Sequence, residues 1–460
     1  MNNLFNPSVY QSRRAKLVAE MKSGVALFLG NHELPMSYKA NTFPFRQDSS
    51  FLYFFGLSLP NLAAIIDFDE NREILFGDDI DIDDIIWMGV QPSMQELGER
   101  VGVKEVRPFS ELKKYIQGRE LHFLPPYQAE NKILLFNLTG KSIEKLGELS
   151  SVPLIQAIVK LRSKKEAIEI EQIEEACKIG VLMHETIMKS CKSGVSEQYL
   201  AGLAEGVTLS YGKGVSFPVI LSQRGEVLHN HRHDGILNKG NLLLVDAGAE
   251  NNFRYTSDYT RTLPVDGVFE TKQREIYEIV LRANTEAIAS LKPDIYYRNV
   301  HLFASQIIAE GLKELGLMKG DIQEAVKVGA HALFFPHGLG HQMGLDVHDM
   351  ENLGENFVGY DDTISRSKQF GLSALRMGRK LQEGFVITVE PGIYFIPDLI
   401  DIWKKERKFE QFINYAKVEE YRDFGGIRIE DDVLITGNSH RVLGPPLAKT
   451  VDELQKMICS

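Results

Sequence analysis

The sequence predicts an α+β protein of two domains. Three observations lead to that expectation: a chain of 460 residues, a first third in which short apolar runs alternate with helical patterns, and a remainder in which strands and helices mix without strict alternation. Single hydrophobic cores stop growing near ~250–300 residues, so this length asks for a second domain. With 43% apolar and 25% charged residues, the chain has enough apolar material to fold rather than stay disordered.

The apolar runs Val25–Leu29, 62–68 and 133–136, set among helical patterns, predict an α/β domain over residues 1–155. A long helix over residues 163–190 then opens the second domain, 156–460. Its apolar residues recur at helical spacing, with Ser163 as N-cap and Glu166 completing a capping box. Strands follow over 241–249, 253–263, 385–390 and 426–436, and helices near 270–291 and 297–316. Residues 250–252 predict a hairpin connection between the first two strands.

A net charge of −11 gives no broad attraction to phosphate backbones or anionic lipid, so neither nucleic acid nor membrane is an expected partner. The first residues lack the apolar core of a signal peptide, and no run reaches the ~18 apolar residues that span a bilayer. Three cysteines, Cys177, Cys191 and Cys459, leave one unpaired in any disulfide scheme and match no zinc spacing. A reducing, cytoplasmic location is the expectation. The acidic stretch 77–87 invites a calcium assignment, but counting from Asp79 puts Asp84 where glycine is needed and Val90 where glutamate is needed. It reads as a solvated loop.

Chemistry concentrates in the second domain. Asp246 follows LLLV, Glu390 follows FVITV, and Glu430 lies inside GIRIEDD, within strands that otherwise read as buried. Carboxylates are almost never buried unless paired or bound to a cation. Any one of them could be a strand-end charge reaching solvent, yet together they ask for a metal. Asp258 returns beside Asp246 if the hairpin pairs antiparallel, and two facing carboxylates again favour divalent cations; the alternative is a salt bridge from Asp258 to Arg261 or Arg254. His337, His341 and His348 sit among glycines that allow close approach of the backbone. His229, His231 and His233 would share one strand face and could form a zinc triad, although the segment is rich in loop-forming residues.

VDAG with SDYTRT, PHGLGH with GLDVHD, TVEPGIY and GIRIEDD occur in an order that resembles the proline-specific peptidases of the pita-bread fold, prolidase and aminopeptidase P. The resemblance covers nearly the whole chain and implies a creatinase-like N-terminal α/β domain before a pita-bread catalytic domain. It implies Asp246, Asp258, His341, Glu390 and Glu430 as ligands of two divalent ions. This oxygen-rich set suits manganese better than copper or structural zinc, with cobalt or zinc able to substitute. It further implies His229, His348, Glu390 and Arg428 as catalytic residues and His337 and Tyr394 as substrate-binding ones. The implied reaction is hydrolysis of the Xaa-Pro bond at the N-terminus of dipeptides or short peptides. Arg376 resembles the prolidase arginine that receives a dipeptide's carboxylate, which favours Xaa-Pro dipeptidase over Xaa-Pro aminopeptidase. A non-catalytic pita-bread protein is disfavoured because all five ligand types are retained.

Asp246 and Asp258 stand one residue further apart than this family implies; a longer hairpin would absorb the difference, whereas a register slip would turn Asp258 away. The motifs around residues 45–56 and Trp87 also resemble the family, whose N-terminal domain helps form dimers or tetramers. Asp48 and Trp87 would then approach a neighbouring subunit's cleft; alternatively, Trp87 packs within its own domain.

Overall fold

The computed structural model describes residues 4–459. The chain forms two compact units, the first comprising residues up to Arg162 together with Met350–Phe357, the second Ser163–Asp349 and Val358 onward.

In the first unit a five-stranded mixed sheet runs in the spatial order Glu105–Arg107, Arg72–Phe76, Ala63–Asp67, Val25–Leu29, Leu121–Phe123. Its three middle strands pair antiparallel and its two edge strands parallel. Alternate residues Val25, Leu27, Ala63, Ile65, Ile74 and Phe76 enter one core, with Leu112, Ile116 and Leu135 from the covering helices, as the two-residue period of a strand requires. The run at 133–136 is not a strand; it lies in the helix Ala129–Thr139. The helix Ser49–Phe55 is capped by Asp48, which accepts from Phe51 N, and stops at Gly56 with φ +68°. The acidic stretch is held by its own caps: Asp81 opens the helix Ile82–Met88, and Asp79 accepts from Met94 N.

The second unit is α+β. The strand Leu242–Ala247 lies between Ile220–Ser222 and Tyr259–Pro264, both antiparallel to it. A second sheet joins Val386–Val389, Asp431–Ile435 and His440–Val442, and Gly392–Tyr394 pairs with Gly426–Arg428. The long helices are Ala167–Ser190, Glu197–Tyr211, Thr271–Ala289 and Tyr297–Glu314. Ser163 does not cap the first of these. It ends the preceding helix, Val152–Ser163, and Glu166 is the N-cap, in a capping box with Glu169. The expected boundary near residue 155 falls inside Val152–Ser163.

Each expected strand of the second unit is shorter than its apolar run. The stretch 426–436 breaks after Arg428 and resumes at Asp431 in another sheet, and Val386–Val389 stops before Glu390-Pro391. Proline has no N–H to continue a ladder. Residues 229–235 lie outside any strand, so His229, His231 and His233 share no strand face.

Candidate metal centre and active-site cleft

The breaks in the sheets are where the carboxylates lie. Glu390 follows Val386–Val389, Glu430 sits between Gly426–Arg428 and Asp431–Ile435, and Asp258 precedes Tyr259–Pro264. Asp246 pairs with Thr260 across the ladder, so Asp258, two residues before Thr260, shares its face. Thr260 bridges to Glu430. The additional residue of the connection is absorbed in a turn where Asn251 Oδ1 accepts from the N–H groups of Phe253 and Tyr255 and Arg254 takes φ +71°. No register slip occurs.

His341 reaches the cluster from an irregular segment laid against Val386–Val389, with Thr388 N donating to His341 O at 3.0 Å. Gly340 permits this approach: a Cβ there would stand 2.1 Å from Thr388 O. His341 Nδ1 lies 3.1 Å from Gln342 O; a carbonyl only accepts, so Nδ1 carries a proton and Nε2 is the nitrogen turned toward the carboxylates. Nε2 stands 3.4 Å from Asp258 Oδ2 and 3.7 Å from Glu390 Oε1. Ligating atoms of Asp258, His341 and Glu430 all lie within 4.8 Å of one another.

Carboxylates crowded together out of water are unfavourable without a cation. Burial, reinforced by the neighbouring carboxylates, pushes the Asp258 and Glu430 carboxyls well above the usual range and raises Glu390. Asp246 Oδ1 and Asp258 Oδ1 are buried with no hydrogen-bond partner among the described residues, which asks for an ion or another ligand. The simple salt bridge is not realised, because Arg254 pairs with Glu250 and Arg261 with Asp431, each at 2.7 Å. A divalent metal fits this donor set.

The cluster opens into a cleft of about 350 Å³ lined also by His229, His337, His348, Arg376 and Arg428. Arg428 Nη2 donates to Asp246 Oδ2 at 2.5 Å and Nη1 to Tyr394 OH at 2.8 Å. The tyrosine hydroxyl in turn lies 2.9 Å from His337 Nε2, while His337 Nδ1 lies 2.8 Å from Gly338 O. The same reasoning puts the His337 proton on Nδ1, and burial lowers its pKa to about 3. The result is a neutral imidazole accepting from Tyr394. The His348 ring packs on His341, centroids 4.0 Å apart. His229 is exposed and borders the cleft with His231, whereas His233 Nδ1 bonds Leu221 O.

Sequence reasoning missed several supporting residues. Thr260 Oγ1 donates to Glu430 Oε2 at 2.6 Å and accepts from Arg428 Nε at 3.1 Å. Asp432 Oδ2 accepts from Asp258 N at 3.0 Å, and burial raises its carboxyl to about 8. Arg261 Nη1 donates to Glu430 O at 2.7 Å. Thr260 had a signal, since strand alternation puts it on the face of Asp258.

Residues 171–437 match the profile of the Metallopeptidase family M24, and residues 10–120 match Aminopeptidase P, N-terminal domain. A Fusarium vanettenii protein named "Probable Xaa-Pro aminopeptidase" is 34% identical over 424 residues, covering 90% of this chain and 88% of that protein. The human Xaa-Pro dipeptidase is 31% identical over 422 residues, covering 89% and 84%. Zinc-substituted Escherichia coli aminopeptidase P in complex with product superposes with a TM-score of 0.82 at 28% identity, over 99% of both chains.

Proposed function

The chain belongs to metallopeptidase family M24 and is a metal-dependent proline peptidase of the pita-bread fold; we propose that it hydrolyses the Xaa-Pro bond of dipeptides. The observation supporting dipeptides is that Arg376 borders the same cleft as the carboxylate cluster, where its guanidinium can take a free terminal carboxylate through two parallel hydrogen bonds. The match of residues 10–120 to the aminopeptidase P N-terminal domain supports the second reading, an Xaa-Pro aminopeptidase acting on longer peptides.

Asp246, Asp258, His341, Glu390 and Glu430 are the proposed ligands of two divalent ions, with manganese best suited to so oxygen-rich a set. When bound, the metal supplies Lewis acidity toward the scissile carbonyl and a nucleophile at neutral pH. The chain's own groups do the rest. Arg428 holds Asp246 and, through Tyr394, His337 in fixed orientation. His229 and His348 donate hydrogen bonds to the charge that develops on the carbonyl oxygen. Glu390, at the edge of the cluster, passes a proton to the departing proline nitrogen.

The proposal includes a homodimer or homotetramer and a cytoplasmic location. The last is supported by buried, unbridged Cys177 and Cys191. Among the described residues no helix is long and apolar enough to cross a membrane.

Steady-state kinetics on Ala-Pro and Ala-Pro-Ala test the choice of substrate. Arg376→Ala is expected to lower kcat/KM for the dipeptide about tenfold to a hundredfold, the value of a charge-assisted hydrogen bond of ~1.5–3 kcal/mol, and to affect the tripeptide far less. Equal losses, or a wild type that prefers the tripeptide, would move the assignment to the aminopeptidase.

A further inference from the structure

We propose that Lys165 is a positioning residue for the cleft: its buried ammonium holds Asp349, and through Asp349 the segment that presents His348 against His341. Lys165 Nζ donates to Asp349 Oδ2 at 2.7 Å, and both side chains are 1% exposed. Asp349 follows His348 directly in the chain. It closes the 342–349 loop twice, its N–H donating to Gln342 O at 2.9 Å and its Oδ1 accepting from Asp346 N at 3.3 Å.

The loop is pressed onto the ion pair. Gly344 donates to Asp346 O at 3.0 Å, and a Cβ on Gly344 would meet Asp349 Oδ2 at 2.6 Å and Lys165 Cε at 2.8 Å. Lys165 is anchored in turn through its own N–H, which donates to Gly384 O at 2.7 Å, two residues before the strand Val386–Val389 that leads into Glu390. Thr256 holds the loop from the opposite direction, its N–H and Oγ1 both donating to Gly344 O. Met350, the next residue, has φ +64°, a conformation that non-glycine residues adopt only where surrounding structure enforces it.

A buried ion pair is weak as a source of stability, because desolvation offsets much of the attraction. Its geometric effect here is definite. Oδ1 and Oδ2 of Asp349 are both engaged, one by the loop and one by Lys165, so the carboxylate cannot rotate without releasing the turn before His348. Removing the ammonium takes away the 2.7 Å donor that fixes Oδ2, so the carboxylate and the turn it closes can shift, and a shift of about 1 Å at a catalytic group is enough to cost ~100-fold in rate.

The inference rests on His348 acting in catalysis, and a double-mutant cycle separates the two claims. In the metal-loaded full chain, Lys165→Met is expected to lower kcat/KM for Ala-Pro about tenfold to a hundredfold with metal content unchanged, since no ligand is altered. In a His348→Ala background the same substitution is expected to cost less than about twofold more, as for residues that act as a unit. The pair Lys165→Met/Asp349→Asn is expected to regain thermal stability without regaining kcat; a purely structural role would restore both. Should Lys165→Met not fold, Asp349→Asn takes its place in the cycle with the same expectation. An unimpaired His348→Ala overturns the role given to His348. Losses that add in an impaired His348→Ala background, or loss of metal from Lys165→Met, overturn the role given to Lys165.

Discussion

Thr260 sets the orientation of Glu430. Its hydroxyl has one proton, donated to Glu430 Oε2, and its lone pairs receive Arg428 Nε, so one oxygen of the glutamate is directed and the other left for a cation. Partners of this kind are worth about 10–100-fold in metal affinity. Thr260→Val, close in shape but without the hydroxyl, is expected to lose that much in manganese titrations of metal-stripped protein, and Thr260→Ser to keep most of it; equal affinities in wild type and Thr260→Val would show the hydroxyl to be idle. Carboxylates in apolar strands announce themselves, which singled out Asp246, Glu390 and Glu430 as candidates, while Asp258 was read from its expected return beside Asp246 across the hairpin. Thr260 had only its strand parity with Asp258 as a signal, and Lys165 had none, because a lysine near a helix start is unremarkable until the partner across the fold is known.

At the scale of elements, two buried histidines link a helix to a short turn. His301 in Tyr297–Glu314 and His331 in Ala330–Leu333 lie with centroids 6.4 Å apart, and no ring nitrogen of either has a hydrogen-bond partner among the described residues. Burial lowers their pKa values to about 3 and about 4, His331 and His337 also depressing His301. Unfolded imidazoles protonate near ~6.5, so below that pH the unfolded chain binds more protons than the folded one. Their contribution is therefore complete above pH ~6.5 and declines as pH falls toward ~4, by about 2 kcal/mol per histidine at pH ~5. The buried carboxyls of Asp258, Glu430 and Asp432, raised in the folded state, act in the opposite direction as pH falls, so the histidine contribution is read as a difference. Between pH 7 and pH 5 in denaturant melts of chelated protein, His301→Leu should lose about 2 kcal/mol less stability than wild type, and an equal change in both would mean that His301 is protonated when folded.

Element type was legible wherever the period was long, as in Thr271–Ala289 and Tyr297–Glu314. Element ends were less so. The stretch 426–436 looks like one strand because isoleucine and valine favour extended backbone throughout it, and only its partners reveal that it serves two sheets, with Glu430 at the crossing. Ser163 looked like a helix start because serine caps well, yet Glu166 competes for the same role three residues later and wins it.

For the whole molecule, the most conspicuous exposed feature is the helix Ile82–Met88, which has no buried residue. Ile82 is 69% exposed, Ile86 70%, Trp87 87% and the nearby Val90 83%. Trp87 is therefore not packed within its own domain. Seven residues form a marginal helix by themselves, and clustered exposed apolar groups mark contact surfaces. If the proposed dimer or tetramer uses this face, Ile86→Glu combined with Trp87→Glu should lower the sedimentation coefficient to the monomer value, while each chain keeps its metal. An unaltered coefficient would place the subunit contact elsewhere.

The clamp that Thr260 and Arg261 form on Glu430 joins residues 170 and 169 positions apart, and that separation imposes a schedule on the newborn protein. A ribosome adds about 5–20 residues per second, so Asp246 and Asp258 emerge roughly 10–30 s before Glu430 can join them. During that interval the nascent chain has half a cation site, without the arginine that later binds Asp246. On the proposed ligand set, the cation site is therefore complete only after residue 430 has been made.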